Sequence, residues 1–171
     1  MKHPVKAVVV YESLWGNTHA IARAIAEGIG SGTKALSTLE ATSVTLEGAD
    51  LIVAGAPVLG FTLPTEGMRQ SISTNPAHSG PRTPDFSAPS MGSWLAALPK
   101  GSGRCAAFET RIWWSPGGAT RAIESGLAGS GYPVLMKAQK FIVKGTYGPL
   151  KEGEIERAKS WGAELAKAMT G

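Results

Sequence analysis

A nearly unbroken β-branched run, Val5-Lys6-Ala7-Val8-Val9-Val10, is followed within eight residues by an amphipathic helix. A short run of this kind is the signature of a parallel strand buried on both faces. The helix places Ile21, Ala24, Ile25, Gly28 and Ile29 on one side. Between them lies Tyr11-Glu12-Ser13-Leu14-Trp15-Gly16-Asn17-Thr18, a loop bearing hydroxyls and one glycine. A strand whose carboxyl end feeds a helix N-terminus gathers unpaired backbone N–H groups around one cavity. That arrangement binds phosphate.

The rest of the chain repeats the unit. Residues 33–39 read as a second strand, and residues 50–56 as a third that Pro57 stops. Residues 62–90, rich in Pro, Ser, Thr and Gly, read as a short helix at 66–72 and then a long irregular connection. Connections of that length inside a domain are commonly functional. A helix at 94–98 follows, with Ser90 as its cap. Residues 104–109 form a fourth strand, 110–118 a loop, 119–128 a helix, and 133–143 an interrupted fifth strand. The last helix spans 152–169, with Ile155, Ala158, Gly162, Leu165 and Met169 on one face. Glu152, Glu154 and Glu156 lie in its first turns, where the helix dipole favours them. Repeated β-then-α units specify a parallel sheet covered by helices on both faces, in one domain over 1–171.

Ligands of open α/β sheets bind beyond the carboxyl ends of the strands. Three loops reach that edge: 12–18, 55–63 and 109–118. The second is apolar and bend-forming. The third carries adjacent tryptophans, Trp113 and Trp114, in a chain with 7% aromatic residues. Phosphate at one loop and flat apolar walls at two others describe a nucleotide-like or flavin-like ligand.

Two common phosphate loops are excluded. A Walker loop needs a lysine after its second glycine, and no lysine lies between Lys6 and Lys34. A dinucleotide fingerprint needs three glycines after the first strand, and only Gly16 is there. The G-S-G pairs at 30–32, 101–103 and 129–131 read as helix ends or turns. His3, His19 and His78 lack metal-ligand spacing, and His19 is expected to face solvent. No G-x-S-x-G elbow is present, and Glu12 beside Ser13 has no histidine partner. Hydrolase chemistry is not supported.

The loop at Ser13, Gly16, Asn17 and Thr18 resembles the FMN-phosphate motif of the flavodoxins, T/S-x-T-G-x-T, with Trp15 where a threonine is usual. An aromatic residue there is more similar to the flavodoxin-like domains of flavodiiron and related flavoproteins. The resemblance extends over Gly55-Ala56-Pro57, Phe108-Glu109-Thr110-Arg111 and the segment 141–154. It implies a three-layer α/β/α sandwich with a five-stranded parallel sheet ordered 2-1-3-4-5.

It also implies roles. Ser13, Gly16, Asn17 and Thr18 would hold the FMN phosphate, with Leu14 and Trp15 adding backbone amides. Pro57, Val58, Leu59, Gly60 and Phe61 would line one face of the ring. Thr110, Arg111, Trp113, Trp114, Gly117 and Gly118 would bound the other, with Trp113 ahead of Trp114 as the stacking residue. Acidic flavodoxins surround the ring with negative charge. This chain is basic, with net charge +4, so an Arg111 near the ring would stabilise reduced flavin and raise its potential.

Function then divides three ways. The first is an FMN-binding electron carrier between redox partner proteins, a monomer or weak homodimer. The second is an FMN-dependent NAD(P)H:quinone-type reductase, and the third a flavodoxin-fold binding module without cofactor. The basic residues fall in the second half, eleven Lys/Arg against six Asp/Glu over 86–171. They form no run with interleaved aromatics, so nucleic acid is not an expected partner. No apolar run is long enough for a membrane span. Met1-Lys2-His3-Pro4 leads directly into the first strand, which predicts no signal peptide. A single cysteine, Cys105, excludes an internal disulfide, reads as a buried small residue, and fits a cytoplasmic setting.

Overall fold

Strands Ala7–Tyr11 (β1), Lys34–Ser37 (β2), Leu51–Pro57 (β3), Arg104–Ile112 (β4) and Gln139–Val143 (β5) form one parallel sheet, ordered β2-β1-β3-β4-β5. The helices are Asn17–Ile29 (α1), Ser43–Leu46 (α2), Glu66–Thr74 (α3), Met91–Ala96 (α4), Thr120–Gly129 (α5) and Glu154–Thr170 (α6). This architecture is a computed structural model describing residues 4–30, 32–74 and 83–170. His3, His78 and the middle of the long 62–90 connection fall outside the described residues.

The alternation of side chains along each strand divides the core into two layers. Val8, Val10, Ile52, Ala54, Cys105 and Ala107 face α4 and α5, packing on Met91, Trp94, Leu95, Ile123 and Leu127. Val9, Leu51, Val53, Ala106 and Phe108 face α1 and α6, packing on Ile21, Ile25, Trp161 and Leu165. The two helices of the second layer touch through glycines. A Cβ on Gly28 would lie 1.9 Å from the Lys159 carbonyl oxygen, and one on Gly162 would lie 2.2 Å from that of Ile25. Only glycine permits this crossing. The chain leaves β1 outward to β2 and returns past it to β3, so the strand order reverses between β1 and β3.

Several boundaries differ from the sequence reading, each for a local reason. The fourth strand does not end at 109 but runs to Ile112, pairing Thr110 with Phe141 and Arg111 with Ile142. Thr110 and Arg111 are therefore strand residues and not loop residues. The helix at 94–98 begins earlier, at Met91, where Ser90 Oγ accepts the Ser93 N–H as a cap. The four-residue α2 is too short to leave a periodic signal. The last helix begins at Glu154, so Glu152 precedes it. Ile155 is exposed, and Glu154 takes the buried position instead. Its carboxylate accepts the Ile142 N–H at 2.7 Å and pairs with Arg157, which ties α6 to β5. The interruption of the fifth strand is present: Val134 bridges Cys105 before the ladder resumes at Gln139.

Candidate functional site

The site is built at the carboxyl edge of β1, where the chain turns into α1. Gly16 sits at the N-cap position with φ +95°, and no side-chain hydrogen bond closes the helix start. Ser13 Oγ accepts the Gly16 N–H at 3.1 Å, which folds the loop back on itself. Thr18, almost fully buried, shares a 2.8 Å hydrogen bond with Thr110 on the neighbouring face of β4. Trp15 is buried edge-on against Tyr147, with ring centroids 5.0 Å apart. Trp15 therefore closes the side of the loop, bracing it on the 145–149 segment. The helix start faces a cavity with no lysine or histidine in its lining.

That cavity has a volume of about 250 Å³. It brings together Ser13, Leu14, Trp15, Asn17 and Thr18 from the first loop, and all of Pro57, Val58, Leu59, Gly60 and Phe61 from the second. Thr110, Arg111 and Trp114 line it from β4 and beyond. Four expected residues do not line it: Gly16, Trp113, Gly117 and Gly118. Trp114, not Trp113, borders the cavity: both lie in a turn after β4 that the Ser115 N–H closes on the Ile112 carbonyl at 3.1 Å. Trp113 is instead 75% exposed. Sequence reasoning missed Ile112, Ser115, Val143 and Thr146, which complete the lining. Val143 and Thr146 belong to the end of β5, a place where the sheet order alone would have put a wall.

Gly117 and Gly118 have a different task. The Gly118 N–H donates to the Phe61 carbonyl at 3.1 Å, and a Cβ on Gly117 would lie 2.0 Å from that same oxygen. The glycines thus seam the second and third loops together. Phe61 itself has φ +68° and follows Gly60 at φ +55°, forming a tight turn closed by paired hydrogen bonds between Leu59 and Thr62. Positive φ at a bulky residue is uncommon and strained, and it concentrates at functional sites.

Arg111 does not present a free charge to the cavity. Its Nη1 donates to Glu109 Oε2 at 2.8 Å and to the Gly117 carbonyl at 2.7 Å. Glu109, fully buried, uses its other oxygen to accept the N–H groups of Ala119 and Thr120 at the start of α5. Arg111 thus lines the cavity with its charge paired to Glu109, and the same contacts hold the third loop.

A second buried glutamate lies at the end of β1. Glu12 Oε1 accepts the Met91 N–H at 2.8 Å, at the start of α4. Its nearest cation is Arg69, with Nε 3.7 Å from Oε2. Neither of those two atoms makes a hydrogen bond. Burial pushes the Glu12 carboxyl up to about 7, against the opposing pull of the Met91 N–H and Arg69. Arg69 also donates to the Ala88 carbonyl at 2.6 Å and lies over the Phe86 ring. His19 does not face solvent freely: it stacks on Tyr11 with centroids 4.4 Å apart, and burial lowers its pKa. Cys105 is buried, and desolvation pushes its thiol up to about 11, as suits an inert core residue. Among the described residues no group of three or more His, Cys, Asp or Glu could hold a metal. Among them, too, no helix is long and apolar enough to cross a membrane.

Sheet order and switch point together define a flavodoxin-like fold, with a cavity at the edge where ligands of such sheets usually bind. Solved structures agree. The chain is similar to a flavodoxin from the domain Archaea, at 21% identity and TM-score 0.67, covering 98% of this chain and 100% of that one. It is also similar to flavodoxin 1 of Bacillus cereus, at 18% identity and TM-score 0.64, over 95% and 97% of the two chains. The flavodiiron core of Flv1 from Synechocystis sp. PCC6803 matches at 20% identity and TM-score 0.61, over 97% of this chain. The chain spans about a third of that protein, 36% of its length. No family model matches the sequence. No curated protein matches it either.

Proposed function

We propose that this protein binds FMN in the cavity and carries electrons between redox partner proteins. One observation supports the reading above the others. An uncapped helix start opens into a cavity whose other walls are largely apolar and aromatic, with Arg111 in the lining held by Glu109. The residues present fit the group. Ser13, Asn17 and Thr18 supply neutral donors for a phosphate, and the dipole of α1 adds roughly half a positive charge at its start. Phe61 and Trp114 supply flat faces for a ring, and the seam between Gly118 and Phe61 holds those faces at a fixed spacing.

Bound flavin supplies the one- and two-electron chemistry. The chain's own contribution is position, exclusion of water and the local field. Thr18 and Thr110 share one hydroxyl hydrogen bond, so the start of α1 is registered on β4. Arg111 keeps the third loop closed without adding net charge. The lining contains no Asp, Glu, His, Cys, Lys or Tyr. The experiment is to add FMN, follow quenching of its fluorescence, and then supply NADPH and a quinone. FMN binding with no NADPH oxidation until a separate reductase is added is the expected result. Steady turnover by the protein alone would establish the reductase instead.

A further inference from the structure

Among the described residues, the segments that carry the exposed rings of the cavity mouth hold no strongly ionisable side chain. Residues 13–18, 57–65, 112–120 and 145–149 contain no Asp, Glu, Lys, Arg or His. Charges beside these segments have partners: Arg111 meets Glu109, Lys144 meets Glu152, and the exposed Asp85, whose N–H donates to the Leu14 carbonyl, accepts the Ser87 N–H. The chain as a whole carries +4, so this neutrality is local. On the same rim stand three exposed aromatic rings: Phe61 at 57%, Trp113 at 75% and Trp114 at 62%.

A ligand in the cavity covers the sides of Phe61 and Trp114 turned toward it. Trp113 does not line the cavity and gains no cover from the ligand. Aromatic side chains present roughly 150–250 Å² each, so the three exposed rings offer on the order of 400 Å². A patch of a few hundred Å² is at the upper end for a monomer and marks an interaction site. With part of Phe61 and Trp114 covered by the ligand, it is at most about half of the roughly 800 Å² per partner that a stable complex buries, and it lies in the range of transient electron-transfer encounters.

We infer that this rim is a docking surface for a redox protein that presents an equally uncharged apolar patch over its own centre, with Trp113 as the anchor. The inference rests on the proposed electron-carrier function. The area disfavours a lasting pair of identical copies, and the missing charge disfavours a partner recognised by an acidic or basic ring. Exposed tryptophans are the commonest anchors at such contacts. Trp113 is bonded in sequence to Trp114 on the cavity wall, so a partner covering Trp113 sits at the cavity's edge.

The test uses the protein loaded with FMN, photoreduced, and mixed with oxidised azurin, a blue-copper protein whose copper lies under an uncharged apolar patch. One electron passes from reduced flavin to one Cu(II), giving Cu(I), and the loss of the blue colour reports the rate. The expected second-order rate changes less than about twofold from low to high ionic strength, since no charge at the contact is screened. Trp113→Ala lowers it roughly fivefold or more, and Trp113→Phe keeps most of it. All three proteins bind FMN alike in a fluorescence titration and sediment as monomers. A steep salt dependence, or an unchanged rate in Trp113→Ala, would overturn the surface while leaving FMN binding intact. So would a dimer in sedimentation velocity that Trp113→Ala dissolves, since the occupant is then a second copy. Failure of the wild-type protein to bind FMN removes the proposed function and this inference with it.

Discussion

The ends of β1 and β4 solve one problem in two ways. Each strand finishes with a buried glutamate on the α4/α5 side of the sheet, and each carboxylate accepts N–H groups at a helix start. Each has an arginine beside it. At β4 the solution is complete: Glu109 and Arg111 meet at 2.8 Å, and the remaining donor of Arg111 Nη1 is taken by the Gly117 carbonyl. At β1 it is not. Glu12 and Arg69 stand 3.7 Å apart, and one oxygen and one nitrogen are left without hydrogen bonds. The difference is one of origin along the chain. Glu109 and Arg111 are two residues apart on one strand, so their side chains lie on one face by construction. Glu12 and Arg69 come from separate elements that must be docked by packing. The third loop is therefore locked, whereas the side of the 12–18 loop is held by a pair with a titratable weakness.

Breaking the complete site should have the largest effect. Glu109→Ala strands the Arg111 cation and uncaps α5, a loss of about 3–5 kcal/mol. Urea unfolding would measure it as a drop in midpoint with little change in slope. A loss under about 1 kcal/mol would show that the two sites are equivalent after all.

The incomplete site should reveal itself by pH. Glu12 has a folded pKa near 7 against an ordinary 4.5, so the native state holds its proton more tightly than the unfolded chain. That contribution to stability is fully present below about pH 4.5 and is lost as pH rises through 7. Its size is roughly 3 kcal/mol. Comparing wild type with Glu12→Gln across pH 4.5 to 8 isolates it, because the other carboxylates are common to both. Parallel curves would contradict the assignment.

A smaller change should sharpen the contrast further. Arg69→Met removes the cation beside Glu12, and the Glu12 midpoint then moves further upward, by about one pH unit or less. The corresponding pH scan of stability reads it. Least of all, Trp113→Ala should change stability by no more than about 0.5 kcal/mol, as expected of an exposed residue without buried contacts.

These same pairs mark how far the sequence could be read. β1, β3 and the first part of β4 were legible as continuous apolar runs, and α1 and α6 by their periodic faces. The hydroxyl loop and the apolar loop at 57–61 were legible by composition and position. The end of β4 was not. Glu109 read as the last strand residue and Thr110 to Ile112 as loop, because a charged Arg111 normally lies outside a sheet. The Glu12–Arg69 contact spans 57 positions of sequence, and no local pattern announces it. The choice between Trp113 and Trp114 turned on the geometry of the turn after Ile112, where no periodic pattern says which ring faces inward.

The central claim is that a phosphate sits at the open start of α1 while a flavin ring fills the apolar slot. Parallel fluorescence titrations with FMN and with riboflavin, identical but for that phosphate, test it most directly. The account predicts FMN binding about a hundredfold or more tighter than riboflavin, or at least about 2.7 kcal/mol. Equal affinities, or no quenching by either, would contradict it.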